Sequence, residues 1–141
     1  MADDDVISTG GAPPPVGAYP HARRAGNLLF LSGIGPRPAD GAAVPGTGKD
    51  ADGNTVTTDI EAQCHEELAN VKMVLESAGA KLDDLIDVTV FLTDIDRDFA
   101  AYNRVYSEYF SAEDGPCRTT VEVTRLPTPI AIELKCIAKI G

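Results

Sequence analysis

Residues Cys117 to Ile137, CRTTVEVTRLPTPIAIELKCI, constrain the fold most. Two β-branched segments are separated by a Pro-punctuated turn, which predicts two buried strands. Each carries one charged residue, Arg118 at the head of the first and Glu133 within the second. A guanidinium and a carboxylate in apolar strands are costly to bury unless paired or used. Taken alone, the two fit a structural ion pair, or residues facing solvent, better than a site. The functional alternative is a small pocket, with Arg118 gripping a carboxylate in a bidentate fork and Glu133 handling a water.

Upstream, Val6 to Thr9 can form a short edge strand that stops before Pro13-Pro14-Pro15, because proline cannot donate to a ladder. Gly17-Ala18-Tyr19-Pro20 reads as a turn presenting a hydroxyl. His21 to Ala25 reads as a strand, Gly26-Asn27 as a hairpin turn, and Leu28 to Ser32 as a fully buried strand. Residues 36–58, rich in Gly, Pro, Asp and Thr, read as a long loop with a short β excursion near Val56. Its length suits a functional loop or a tolerated insertion equally.

A helix capped by Thr58 or Asp59 runs to about Ala78 and stops at Gly79. Ile60, Cys64, Leu68, Val71 and Leu75 fall on one face, with Glu61, Glu66, Glu67 and Lys72 largely off it. A turn at Leu82–Leu85 leads to a strand over Asp87–Leu92, and a second helix covers Phe99 to Phe110. The resulting order is β-β-β, α, β, α, β-β. It predicts a single α+β domain over 1–141, a mixed sheet with two helices on one face, a 1–12 extension and a 36–58 insertion.

Composition removes several function classes. A formal charge of −10 repels phosphate backbones and argues against nucleic-acid binding. No apolar run approaches a membrane span, and the acidic head Met1–Asp5 lacks the features of a signal peptide; a cytoplasmic protein is expected. Three scattered cysteines suggest reduced thiols, with Cys64 a small core residue. His21 and His65 have no ligand spacing, so no metal site is expected.

Arg118-Thr119-Thr120-Val121-Glu122-Val123, Arg125-Leu126-Pro127 and Ile132-Glu133 resemble the C-terminal signature of the RidA (YjgF) family of reactive-intermediate deaminases. Gly17-Ala18-Tyr19, Leu31-Ser32-Gly33 and Asp98-Phe99-Ala100-Ala101-Tyr102-Asn103 match further family positions in order, so the resemblance covers roughly residues 15–139. It implies a chorismate-mutase-like α+β fold and homotrimers in a barrel-like assembly, with sites between neighbouring subunits. It also implies cofactor-free hydrolysis of enamines and imines. Arg118 would clamp the substrate carboxylate and Glu133 would orient or deprotonate the water, with Asn103 a third catalytic candidate. Tyr19, Ser32, Gly33 and Thr120 would line the pocket.

Thr120 stands where many family members carry Cys; its hydroxyl can still bond a water or substrate. The runs Pro13–Arg24 and Phe30–Arg37 are similar to those of family members that act on 2-aminomuconate. That resemblance implies a dicarboxylate substrate and a second cation. His21, Arg23, Arg24 and Arg37 are the candidates, and only one of the adjacent pair Arg23 and Arg24 can reach a given pocket. Arg125 reads as structural.

Overall fold

A computed structural model describes residues 5–141; the acidic residues 1–4 lie outside the described residues. The described residues make eight strands and two α-helices: β1 Val6–Ile7, β2 Ala22–Ala25, β3 Leu28–Leu31, β4 Thr47–Lys49, β5 Thr55–Thr57, α1 Ile60–Ser77, β6 Leu85–Leu92, α2 Ile95–Tyr106, β7 Cys117–Glu122 and β8 Ile132–Lys139. Six strands form one mixed sheet in the order β1-β2-β3-β8-β6-β7. β6 and β7 run parallel, and α2 supplies the crossover that parallel neighbours require.

The local signals mostly act as expected. Gly26, at φ 61°, turns β2 into β3. The Asp59 carboxylate accepts from Ala62 N and starts α1, and Gly79 at φ 79° ends it. The sheet buries one face. Val88, Val90 and Leu92 of β6, with Ile132, Leu134, Cys136 and Ala138 of β8, pack into the core with Cys64, Leu68, Val71 and Leu75 of α1. Alternate residues of the same strands, including Glu133, Lys135 and Ile137, face the open side.

Five expectations are corrected. The two strands of the Cys117–Ile137 stretch are not neighbours, because both flank β6, and β7 is an exposed edge strand. β3 alternates: Leu29 and Leu31 are buried, but Phe30 is exposed on the open face. α2 begins four residues earlier than Phe99, because Asp94 accepts from Arg97 N and caps it there, and it ends at Tyr106.

The fourth correction is Glu67, which is fully buried; three residues after Cys64 and four before Val71, it lies within the apolar stripe, where α1 presses on β8. The fifth is the 36–58 segment, which is a hairpin as well as a loop. Asp50 Oδ1 accepts from Asp52 N and Asn54 N, both at 2.9 Å, and turns β4 back onto β5. Among the described residues no helix is long and apolar enough to cross a membrane.

Candidate active site

The cross-strand register decides where the two principal residues go. Arg118 and Thr120 lie opposite Val88 and Val90, which are fully buried against the helices. Both side chains therefore project to the helical face. Glu133 lies opposite Phe91, between the buried Ile132 and Leu134, and projects to the open face. Arg118 and Glu133 are on opposite sides of one sheet, so a single chain cannot place both in one pocket.

The Arg118 cluster is built by α2. Phe99, Tyr102, Tyr106 and Phe110 form an aromatic stripe at helical spacing, with successive centroids 5.8, 6.1 and 4.7 Å apart. The guanidinium stands over Tyr102 at 5.1 Å and Tyr106 at 4.7 Å, and Nη1 donates to Asn103 Oδ1 at 2.9 Å. Thr120 Oγ1 and Tyr102 Oη share a 2.8 Å hydrogen bond. Burial raises the Tyr102 phenol above its ordinary range and pushes Tyr106 up to about 12. No carboxylate pairs with Arg118 among the described residues; two rings and an amide hold it.

The Glu133 groove is built by the segment 16–20 and the turn after β3. A cavity of about 160 Å³ is lined by Val16, Tyr19, Gly33, Arg37, Thr128 and Glu133, among others. Gly33 lets the Glu133 carboxylate approach closely: a Cβ there would meet Glu133 Oε2 at 2.9 Å and push that side chain aside. Burial raises the Glu133 carboxyl above the ordinary glutamate range, and the Arg37 charge pulls it partly back. Ser32 Oγ donates to Pro20 O at 2.7 Å, which fixes the turn carrying Tyr19. A larger cleft, about 740 Å³, lies between β5 and the 124–130 loop and contains neither Arg118 nor Glu133. It is an open trough, so its size gives it no priority over the Glu133 groove.

Two candidate cations are occupied elsewhere. Arg24 lies opposite buried Leu29 on the helical face, and its Nη2 donates to Ala78 O at the end of α1. His21 is buried: Nδ1 accepts from Thr9 N, so Nε2 carries the proton and donates to Pro13 O at 2.8 Å. Its ring tethers the N-terminal segment and does not reach out as a cation. Arg23 takes the open face opposite Phe30, so the two adjacent arginines do split between faces. Arg125, expected to be structural, is exposed and makes no hydrogen bond or ion pair among the described residues. Only Arg37 of these candidates lines the Glu133 groove.

Sequence reasoning missed the stacking role of Tyr102 and Tyr106 and the polar buttress on α1. The aromatic spacing from Phe99 to Phe110 was a readable signal for the first. On α1, Gln63 Oε1 accepts from Ala131 N at 2.9 Å and Glu67 Oε1 from Leu134 N at 2.7 Å, so both brace the backbone around Glu133. The spacing of Glu67 from Ile60, Cys64 and Val71 puts it on the apolar face, a readable signal for the second. Among the described residues no group of three or more potential ligands could hold a metal ion.

The layered mixed sheet, with an arginine cluster on one face and a glutamate groove on the other, defines an α+β fold, and similarity to known proteins narrows this. The family described as Endoribonuclease L-PSP matches residues 9–140. A RutC family protein of Pyrococcus horikoshii is 46% identical over 135 residues, covering 95% of this chain and 96% of that protein. The 2-iminobutanoate/2-iminopropanoate deaminase of Escherichia coli is 37% identical, covering 94% and 95%. Among solved structures, E. coli TdcF with bound serine superposes with a TM-score of 0.81 at 32% identity, covering 96% and 98% of the two chains. The chain belongs to the RidA (YjgF) family.

Proposed function

We propose that this protein hydrolyses imines, and enamines that tautomerise to them, derived from 2-amino acids, releasing the 2-oxo acid and ammonia. The observation that carries the reading is Arg118: an oriented guanidinium with no carboxylate partner, suited to a substrate carboxylate. The name of the E. coli relative, a 2-iminobutanoate/2-iminopropanoate deaminase, supports the same chemistry. Because Arg118 and Glu133 face opposite ways, we assign each site to two copies, one giving Arg118 and the other Glu133, within a homotrimer. Exposed Val6, Phe30 and Val121 on the open face suit such packing.

In the proposed reaction the water oxygen bonds to the iminium carbon, the C=N electron pair moves to nitrogen, and the water proton passes to ionised Glu133. The carbinolamine then takes that proton on nitrogen. The C–N bond breaks with its pair leaving on ammonia, and the hydroxyl closes to C=O as its proton passes by way of Glu133 to that ammonia. Iminium plus water gives oxo acid plus ammonium. The positive charge of the imine supplies the electrophile, and the raised carboxyl of Glu133 supplies a stronger base than an ordinary glutamate.

The finer reading, also our proposal, is hydrolysis of 2-aminomuconate to 4-oxalocrotonate in aromatic-compound degradation in the cytoplasm. Its support is the resemblance carried by residues 13–24 and 30–37; the relatives named above do not address it. The net charge of −10 weighs against RNA as the substrate despite the family description.

The test is ammonia release from 2-iminobutanoate, generated by an amino-acid oxidase with catalase present, and from freshly made 2-aminomuconate. Acceleration over an enzyme-free control that is lost in Arg118→Ala supports the reading. No acceleration of either substrate by folded protein would overturn it in favour of a carboxylate-binding module without turnover.

A further inference from the structure

We infer that Arg37 forms a second anion subsite in the Glu133 groove and selects substrates carrying a distal carboxylate over monocarboxylates. This rests on the deaminase reading above and deepens it by naming the substrate class.

Three observations carry it. First, Arg37 lines the same cavity as Glu133, Tyr19 and Gly33, and the two charged residues form no ion pair with each other. One Nη2–H of Arg37 donates to Pro14 O at 2.9 Å, which orients the guanidinium and leaves other donors of the fork unused.

Second, the backbone under Arg37 is clamped at a cost. Asn70 of α1, only 4% exposed, spends its amide nitrogen on Gly35 O at 2.9 Å and on Arg37 O at 2.8 Å. Pro14, the acceptor for Arg37, sits beside Pro13, which is pinned by the buried His21 ring at 2.8 Å. A cation held from both sides is pre-organised, so binding loses little rotamer freedom.

Third, charge counting favours a dianion. Arg118 from one copy would neutralise the carboxylate next to the imine. Arg118, Arg37 and ionised Glu133 together leave one net positive charge, which an iminium bearing two carboxylates balances and a monocarboxylate iminium does not. Of the other candidate arginines, Arg24 donates to Ala78 O at the end of α1, and neither Arg23 nor Arg125 lines the cavity.

The experiment compares imines made in situ by amino-acid oxidases from aspartate, glutamate and 2-aminoadipate with those from alanine and 2-aminobutanoate. The quantity read is the ratio of kcat/KM for the best dicarboxylate to that for the best monocarboxylate. Loss of one charge-assisted contact predicts that this ratio falls about 10- to 100-fold in Arg37→Gln, mostly through KM. Arg37→Lys recovers part of it, and Arg125→Gln, which changes net charge equally, leaves the ratio unchanged.

Equal losses on both substrate classes in Arg37→Gln would overturn the subsite and leave Arg37 a structural clamp on Pro14. An equal fall in Arg125→Gln would assign the effect to the general field instead. If no imine is turned over, the deaminase reading fails by itself. The subsite is then read by calorimetry with 2-oxoglutarate against 2-oxobutanoate: a dicarboxylate preference lost in Arg37→Gln supports it, and equal affinities overturn it.

Discussion

The Arg118 cluster and the Glu133 groove hold opposite charges by opposite means. Arg118 sits at a sheet edge over two tyrosine rings and an amide, with its charge open to solvent. Glu133 sits mid-strand against the Gly33 backbone, braced from the helical side by Gln63 and Glu67, and burial makes it a stronger base. The first arrangement suits binding and the second suits proton transfer. They are separated by the thickness of the sheet, and in the proposed trimer each chain would carry two half-sites.

The sharpest way to break that comparison is complementation. Arg118→Ala and Glu133→Gln should each lower kcat/KM by about 10²- to 10⁴-fold with thermal stability nearly unchanged. Co-refolding the two inactive chains should restore a fraction of the activity, because some interfaces then combine an intact Arg118 with an intact Glu133. No recovery from co-assembled chains would place both residues in one chain's site, against the register.

Asn103→Ala should cost about 10-fold in kcat/KM, since it frees the guanidinium from one orienting bond while the rings remain. An unchanged rate would reduce Asn103 to a surface residue.

The pH profile sharpens the other half. Glu133 must be ionised to accept a proton, so activity falls as pH drops through its raised pKa, above the ordinary glutamate range. Arg37 pulls that value down, so Arg37→Gln should move the acid limb of kcat/KM to still higher pH.

Glu67 gives a stability effect of known sign. Burial raises its carboxyl well above the usual value, so the folded chain keeps that proton to higher pH than the unfolded chain. Its contribution is full below the unfolded pKa and is lost as pH rises toward the folded one. Urea midpoints of Glu67→Gln should therefore decline less than those of the parent between mildly acid and alkaline pH. Smallest of all, Arg24→Gln should cost about 0.5–1 kcal/mol of stability through the lost contact at the end of α1, with activity retained. A large loss of activity would return Arg24 to the site.

Apart from the β4–β5 hairpin, the element order was legible in the sequence, as were the Gly26 hairpin, a start of α1 at Thr58 or Asp59, its stop at Gly79 and the split of Arg23 and Arg24 between the two faces. Each depends on neighbours within a few residues: a turn dihedral, a cap, or the two-residue period of a strand. Charge in a β-branched run drew attention to Arg118 and Glu133, but by itself it fitted a structural ion pair or solvent-facing residues better, and the family resemblance made them site candidates.

What the chain could not announce locally was decided by tertiary pairing. β6 inserts between β7 and β8, and that single choice of neighbours turns Arg118 and Glu133 to opposite faces. The same packing buries Glu67, engages His21 and Arg24 in backbone contacts, and leaves Arg37 beside Glu133. A side chain's partner is set by which strand or helix lands against it, and contacts of residues tens of positions apart are absent from any local pattern.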